Sequence, residues 1–271
     1  NGGQREALKG ANSDPDMKEQ AGMPNNYTWE ALGKKYGGFD SQFREFLGWL
    51  VDGEKKFSII GSSNAATYKE VFPLIKQNKL WKGATANNSD MVFGVPKGAE
   101  VKPADKAKAE RLGYPSDEQF DYTRLGNSCW FTNIDHGRRH EPLQLMTMAD
   151  NIRYTSHKDL RGVEYQRYDN FDALEVPFND MIPSDYYGMM GVPVTFLDKY
   201  NPDQFEILFN ADDMEQTKEF GVEPLGEKRV ADYYAAGGTG GNSKGHRKLF
   251  LYQPRPWVPF KRIVIRHRKD F

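Results

Sequence analysis

Cysteine, long apolar runs and excess charge are all scarce in this sequence. One of its 271 residues is cysteine, Cys129, so no disulfide can form within the chain and a reducing compartment is expected. No apolar run approaches the length of a membrane span, and no signal peptide opens the chain. The formal net charge of −1 gives no global attraction to nucleic acid or membrane. These absences predict a cytoplasmic protein without a membrane anchor.

The charge is nevertheless unevenly distributed along the chain. Residues 244–269 contain nine Lys or Arg residues and no Asp or Glu. The apolar run 263–265 interrupts this basic stretch with a strand pattern, which favours an ordered basic edge over a solvated tail. We predict strands at 249–252 and 262–266, joined as a long hairpin.

Segment 55–79 combines a strand, a polar turn and an amphipathic helix. The short apolar run 57–60 is closed by Gly61, as expected of an interior strand. Ser63 or Asn64 is then expected to cap the helix. Its apolar residues recur at spacings of three and four: Tyr68, Val71, Phe72 and Ile75. Pro73 is expected to bend this helix or end it early. A strand that opens through small polar residues into a helix is a place where α/β sheets bind ligands, although most such turns bind nothing.

The remaining patterns predict an α/β fold. Residues 1–38 are polar and predict a poorly ordered arm. A helix is predicted at 39–53, and 97–118 is either an exposed loop or a surface helix. Further strands are predicted at 91–95, 128–134 and 205–209, and the glycine-rich piece 237–245 reads as a linker.

The turn 135–140, Asp-His-Gly-Arg-Arg-His, follows a predicted strand that carries adjacent aromatic residues. Cationic side chains on a compact turn can contact phosphates, which makes Arg138, Arg139 and His140 candidates for binding nucleic acid. A solvated surface turn explains the same pattern equally well. The spacing of His136 and His140 also invites a metal site. We expect none, because Cys or carboxylate ligands at suitable spacing are missing and the turn does not look helical.

Three long blocks, in this order, resemble one family. They are FREFLGWLVDGEKKFSIIGSSNAATYKEVFPLIKQNKLWKG (43–83), LGNSCWFTNIDHGRRHEPL (125–143) and YDNFDALEVPFNDMIPSDYYGMMGVPVTFLDKYNPDQFEI (168–207). The chain thereby resembles the EcoRI-type adenine-specific DNA methyltransferases over roughly 39–207. The resemblance implies transfer of a methyl group from S-adenosylmethionine to the N6 amino group of adenine in double-stranded DNA.

The resemblance also implies a fold and a division of the chain. The expected fold is a partial Rossmann-like methyltransferase sheet with an appended β-rich DNA-recognition region. The corresponding domains are the C-terminal part of the methyltransferase core at 39–145 and the recognition region, with its basic hairpin, at 146–271.

The sequence departs from the family at the catalytic turn. Similar proteins carry Asn-Pro-Pro-Phe immediately before the helix that contains Phe43, whereas this chain has GGFDSQ at 37–42. Neither Asn-Pro-Pro nor Asp-Pro-Pro occurs anywhere in the sequence, and Asn201-Pro202 is followed by Asp203. The catalytic and cofactor-binding residues therefore remain unassigned.

Three explanations of this departure stay open. The chain is a fragment, namely the C-terminal half of such an enzyme; or a second chain or segment supplies the missing N-terminal half; or the chain is a degenerate relative. In the last case it is a non-catalytic DNA-binding or interaction protein on a methyltransferase scaffold.

The candidate site residues fall into two groups. The substrate-crevice candidates are Asn64, Trp130 and Phe131, with helix capping and core packing as their alternative roles. The DNA-contact candidates are cationic: Arg138, Arg139, His140, Lys261, Arg262, Arg266 and Arg268.

Overall fold

The computed structural model describes residues 39–83, 91–125 and 128–268. The predicted arm at 1–38 lies outside these residues. The described residues divide into two compact units, the first comprising 39–65, 91–125 and 128–131 and the second 66–83 and 132–268. None of the helices in the described part is long and apolar enough to cross a membrane. The predicted boundary between 145 and 146 stays a prediction.

Short elements alternate along the chain. The α-helices are α1 (Phe39–Asp52), α2 (Phe72–Lys76), α3 (Pro103–Arg111), α4 (Met148–Tyr154), α5 (Met214–Glu219) and α6 (Gly226–Ala235). The strands are β1 (Ser58–Ser62), β2 (Trp81–Lys82), β3 (Met91–Pro96), β4 (Phe120–Leu125), β5 (Ser128–Thr132), β6 (Leu174–Glu175), β7 (Met190–Pro193), β8 (Phe205–Asn210) and β9 (Arg262–His267). Single 3₁₀ turns include Ser63–Thr67, Gly137–His140 and Val194–Asp198. The predicted α/β class is confirmed.

In the first unit, β1 lies beside β5 and α1 packs close to them. The ring centroids of Phe43 and Phe131 are 5.3 Å apart. A Cβ on Gly61 would lie 2.5 Å from Cε2 of Phe43, so glycine is required where these rings approach β1. Residues 39–52 are helical as the apolar spacing predicts, since α1 buries Phe43, Leu47 and Leu50.

The first unit also contains an antiparallel hairpin of β3 and β4, paired from Met91↔Leu125 to Pro96↔Phe120. The buried Asp121 on β4 anchors the hairpin by accepting hydrogen bonds from Lys97, Lys106 and the Gly98 backbone N–H. These bonds hold the pKa of Asp121 well below its usual range, the Gly98 bond contributing most. For 97–118 the sequence left a loop and a surface helix open, and the structure has a helix there, α3. β4, which follows, was not predicted.

The second unit is built on a sheet of order β6-β7-β9-β8. β6 and β7 are parallel, and β9 pairs antiparallel with both β7 and β8. Ile263, Val264 and Ile265 are fully buried, and because successive side chains alternate between faces, both faces of β9 are covered. A buried cluster joins Phe209 of β8 to Val222 and Leu251, which lie outside the sheet.

Three local predictions were wrong. The predicted hairpin does not form, because β9 pairs with β7 and β8, while 249–252 contributes an isolated bridge between Leu251 and Trp257. Pro73 does not end a helix: it occupies the first turn of α2, where its missing N–H costs nothing. Neither Ser63 nor Asn64 caps α2, which begins after Val71 without a side-chain cap.

Candidate functional site

Three predicted site residues lie in the 3₁₀ turn Gly137–His140 of the second unit, which we call the basic turn. Arg139 anchors this turn. The Arg139 guanidinium carbon lies 3.7 Å from the centroid of the Trp81 ring, and the residue is 8% exposed. Nη1 donates to Oδ1 of Asp135 at 3.1 Å, and Nη2 donates to Oδ1 of Asn78. The guanidinium thus stacks on one ring and binds two acceptors, so Arg139 fixes the turn from inside.

His140 lies between two carboxylates. Its Nδ1 is 3.0 Å from Oδ2 of Asp203, and its Nε2 is 3.0 Å from Oδ1 of Asp135. The hydrogen bond to Asp203, followed by that to Asp135, raises the pKa of His140 above its usual 6.5. The His140 bond in turn lowers the pKa of Asp135. The ring is therefore a persistent cation over a wider pH range than an ordinary histidine.

A buried ion pair lies near the same turn. Nζ of Lys82 is 2.5 Å from Oδ1 of Asp198, and both side chains are 5% exposed. Burial raises the pKa of Asp198, and the Lys82 ammonium opposes this rise. Nε2 of His136 lies 3.1 Å from the Lys82 carbonyl oxygen, while its Nδ1 has no hydrogen-bond partner among the described residues. A cavity of about 30 Å³ borders these groups, which is room for a water molecule or two.

An open polar groove adjoins the turn. Its volume is about 530 Å³, and its lining residues are Lys76, Gln77, Asn78, Tyr200, Pro202, Asp203 and Arg268. Arg268 is exposed, and its Nε donates to the Pro202 carbonyl at 2.7 Å. Asp203 connects the groove to His140. The groove and the 137–140 turn thus present Lys76, Arg138 and Arg268 as exposed cations.

The basic residues around β9 have different environments. Nη2 of Arg262 is 2.6 Å from Oε1 of Glu175, inside the core, and the hydroxyl of Tyr168 donates to the other carboxylate oxygen. Arg266 is exposed and its Nε lies 2.7 Å from Oε2 of Glu206. Lys261 is half-buried and precedes the strand. The structure thus gives Arg262 an internal ion pair, while Arg266 and Lys261 face solvent at least in part.

The substrate-crevice candidates all lie in the first unit. Asn64 is exposed in the turn after β1, and its backbone N–H donates to Oγ of Ser62 at 3.3 Å. Trp130 and Phe131 lie on opposite faces of β5, as the strand pattern predicts. Trp130 is half-buried, whereas Phe131 is fully buried against Phe43.

Several groups of this site were not predicted. Four residues that contact the basic turn or form the buried ion pair lie 50 or more residues away from the turn in the sequence: Trp81, Lys82, Asp198 and Asp203. The residue types of the turn indicated that it is cationic, but the residues that contact it come close only in the folded structure. No local pattern in the sequence indicated them.

Comparison with curated proteins finds related Type II methyltransferases. M.EcoRI of Escherichia coli is 39% identical over 171 residues, which is 62% of this chain and 47% of that protein. M.MpnI of Mycoplasma pneumoniae is 32% identical, and M.MgeORF184P of Mycoplasma genitalium 33%, each over 168 residues, 62% of this chain and 48% of the relative. The chain spans about half the length of these relatives.

No solved structure matches the chain. The family model described as "Adenine-specific methyltransferase EcoRI" matches residues 39–268, which is most of the sequence and includes the basic turn, the groove and β9. The chain therefore belongs to the EcoRI family of adenine-specific methyltransferases.

Proposed function

We propose that this chain is the C-terminal part of a DNA methyltransferase that transfers a methyl group from S-adenosylmethionine to the N6 amino group of adenine in double-stranded DNA. The observation that carries the proposal is the family match over residues 39–268. The three relatives, each named as a Type II methyltransferase, support it.

In this proposal the second unit binds the DNA backbone. Phosphates are contacted by Arg138, His140, Lys261, Arg266 and Arg268, which are exposed or half-buried. Arg139 and Arg262, which are buried in ion pairs, hold the turn and β9 in place for these contacts. Backbone contacts of this kind orient a protein on a duplex without reading its sequence. The recognition region then corresponds to 146–271.

The first unit provides part of the Rossmann-like sheet and the substrate crevice. Support comes from β1, which opens through the small polar residues Ser62 and Ser63 into a 3₁₀ turn. Adenine must leave the base stack before its amino group can react. In this proposal Trp130, half-buried on β5, offers a face on which the base can stack, and the amide of Asn64 hydrogen-bonds beside it.

The described residues do not form a site that fits the cofactor. S-Adenosylmethionine supplies the methyl group and carries a positive sulfonium. The 530 Å³ groove is large enough, but Lys76 and Arg268 line it and would repel that charge, while the one carboxylate in its lining, Asp203, is already bound to His140. The turn Ser62–Asn64 after β1 carries no carboxylate to bind ribose hydroxyls. We propose that the cofactor is held by residues outside the described ranges or by a second polypeptide.

The alternative function is DNA binding without methyl transfer. The specific observation in its favour is that the sequence contains neither Asn-Pro-Pro nor Asp-Pro-Pro. A decayed scaffold would keep its cationic surface and lose its chemistry.

The deciding experiment measures incorporation of labelled methyl from S-adenosylmethionine into adenine of unmodified double-stranded DNA at low salt. It is run with the chain alone and with a polypeptide carrying the Asn-Pro-Pro-Phe half of a family member. Incorporation in either case supports the methyltransferase proposal. Folded protein that binds DNA but fails in both favours the alternative. Folded protein that neither binds nor methylates DNA overturns both functions.

A further inference from the structure

The glycine-rich loop 237–245 is held in place by two tyrosines near the end of α6. The Tyr234 hydroxyl donates to the Gly240 carbonyl at 2.6 Å and accepts from the Asn242 N–H at 3.2 Å. The Tyr233 hydroxyl donates to a second carbonyl of the loop at 3.3 Å. A flexible linker has no such bonds. The loop is therefore presented on a fixed backbone, which lowers the entropy lost when it binds a partner.

Three uncharged polar side chains of this loop are unpaired. Thr239, Asn242 and Ser243 use their backbone groups in hydrogen bonds, but their side chains form none within the described part of the chain. Thr239 and Ser243 are exposed, and Asn242 is half-buried. Their donors and acceptors are thus available to a ligand. A solvated turn also explains unpaired hydroxyls, so the glycines of the loop decide between the two.

The protein itself does not require glycine at 241. A Cβ on Gly241 would meet nothing within 4 Å among the described residues, and its φ lies outside the left-handed region that favours glycine. Alanine at such a position usually raises stability, because it restricts the unfolded chain. Glycine at 241 therefore forgoes stability without a packing gain inside the chain. Because glycine lets a backbone approach a ligand closely, this favours a contact outside the chain.

Basic residues flank this uncharged part of the loop. Residues 237–243 carry no charge, and the next five positions contain four basic residues: Lys244, His246, Arg247 and Lys248. Nζ of Lys244 lies 3.1 Å from Oε1 of the exposed Glu227, and residues 233–269 include no Asp or Glu. A neutral polar tip with basic flanks matches a DNA groove, where base edges lie between two phosphate chains. The loop lacks the aromatic and apolar anchors of a protein interface core.

We propose that the loop 237–245 enters the major groove of the bound DNA and reads base edges there. The amide of Asn242 hydrogen-bonds to N7 and N6 of an adenine in the recognition sequence, a bidentate pairing that asparagine makes in the major groove. The bare backbone at Gly241 lies against the same base edge, and Tyr234 is a positioning residue. This inference rests on the DNA binding of the proposed function and deepens it, because phosphate contacts alone carry no sequence preference.

The test first defines the recognition sequence, by selecting duplexes from a random-sequence pool with the wild-type chain. Affinities are then measured by fluorescence anisotropy for the selected duplex and for an unrelated one. Asn242→Ala should weaken binding to the selected duplex by roughly 5- to 150-fold, the discrimination that one bidentate contact supplies. Its affinity for the unrelated duplex, and the salt dependence of that affinity, should stay those of the wild type, because no phosphate contact is removed.

A single-atom change in the DNA identifies the partner of Asn242. Each adenine of the selected duplex is replaced in turn by 7-deazaadenine, which keeps base pairing and lacks the N7 acceptor. One replacement should weaken binding of the wild type and leave binding of Asn242→Ala unchanged, since the two changes remove the same contact. Equal sensitivity of both proteins to every replacement overturns the proposed contact. A wild-type chain that binds DNA but selects no sequence overturns it as well.

Two further variants test the loop backbone. Gly241→Ala should be at least as stable as the wild type in urea, yet bind the selected duplex more weakly, because the methyl group meets the base edge. Gly48→Ala is the matched control: its Cβ also meets nothing within 4 Å, but it lies on α1, so DNA binding should not change. Tyr234→Phe should reduce the preference for the selected over the unrelated duplex, with circular dichroism like that of the wild type.

Failure of the reading loop and failure of the proposed function have different signatures. A chain that selects a sequence through Asn242 without methylating it leaves the loop standing and removes the catalytic proposal. A chain that methylates a defined sequence while Asn242→Ala keeps the full preference does the reverse. A folded chain with no affinity for DNA overturns both.

Discussion

Arg138 and Arg139 are sequence neighbours in opposite environments. Arg139 stacks on Trp81 and binds Asp135, whereas Arg138 is exposed. We expect Arg139→Ala to lower the free energy of unfolding by about 1–3 kcal/mol, because it removes the stacking on Trp81 and two hydrogen bonds of a charged group that hold the turn. Arg138→Ala should stay within about 0.5 kcal/mol of the wild type in the same urea titration.

The pair separates again in DNA binding. Arg138→Ala should reduce the salt dependence of affinity by about one phosphate contact, measured by fluorescence anisotropy with duplex DNA. If Arg138→Ala instead destabilised the fold as much as Arg139→Ala, the division into contact and anchor would be wrong.

The charge of His140 makes the 137–140 turn sensitive to pH. Its pKa is raised above 6.5 in the folded protein, chiefly by Asp203. The stabilisation from protonated His140 is therefore complete below 6.5 and is lost as the pH rises through the raised value. Asp203→Asn should bring the pKa of His140 down, so that this loss occurs at lower pH. Titration of the imidazole resonances by NMR measures both values; an unchanged His140 pKa in Asp203→Asn would contradict the assignment.

At the scale of elements, the approach of β7 to a buried tyrosine requires glycine. A Cβ on Gly191 would overlap the Tyr168 hydroxyl and lie 2.8 Å from its Cζ. Gly191→Ala should cost about 1–3 kcal/mol of unfolding free energy, since the ring is fixed by Glu175 in the core. Gly241→Ala is the matched control, because its Cβ would meet nothing within 4 Å. Urea unfolding measures the stability of both variants. Equal stabilities would show that Tyr168 can move to make room for the added methyl group, which would contradict the prediction.

Elements with strong local patterns were predictable from the sequence, and their pairing was not. The apolar spacing in α1 and the apolar run in β8 predicted the bounds of both elements to within one residue. The partners of β9 lie about 60 and 70 residues away, so local propensity could not select β7 and β8 over the neighbouring segment 249–252. α5 was not predicted, although Asp213 is a residue type that favours helix N-caps. In the structure its side chain accepts hydrogen bonds from the backbone N–H groups of Glu215 and Gln216.

The candidate site was predictable to a similar degree. Residue type alone indicated the turn 135–140 as a candidate, and in the structure both Arg139 and His140 bind Asp135. Residue type could not show that Arg139 is buried while Arg138 is exposed, because that difference is set by Trp81 and Asn78, about 60 residues away.

For the molecule as a whole, the balance between near-neutral charge and a local basic surface predicts how DNA binding depends on salt. Four exposed or half-buried Lys and Arg residues are proposed to contact phosphate: Arg138, Lys261, Arg266 and Arg268. The logarithm of the binding constant should then fall with the logarithm of salt concentration with a slope of about −3.6 from these four, and more steeply where His140 is protonated. Neutralising all four with Gln should leave only the contribution of His140, a slope no steeper than about −0.9. A wild-type slope near zero would exclude this surface as the DNA contact.

The position of β9 has a consequence for how the protein is made. β9 lies between β7 and β8, although the chain reaches it about 50 residues after β8. During synthesis, β7 and β8 therefore emerge from the ribosome with no partner between them, each exposing an unpaired edge until residues 262–267 arrive. Until then the second unit cannot form its sheet. A nascent chain stalled before β9 should be open to proteolysis across 190–210, and it should become resistant once residues 262–267 have emerged from the ribosome.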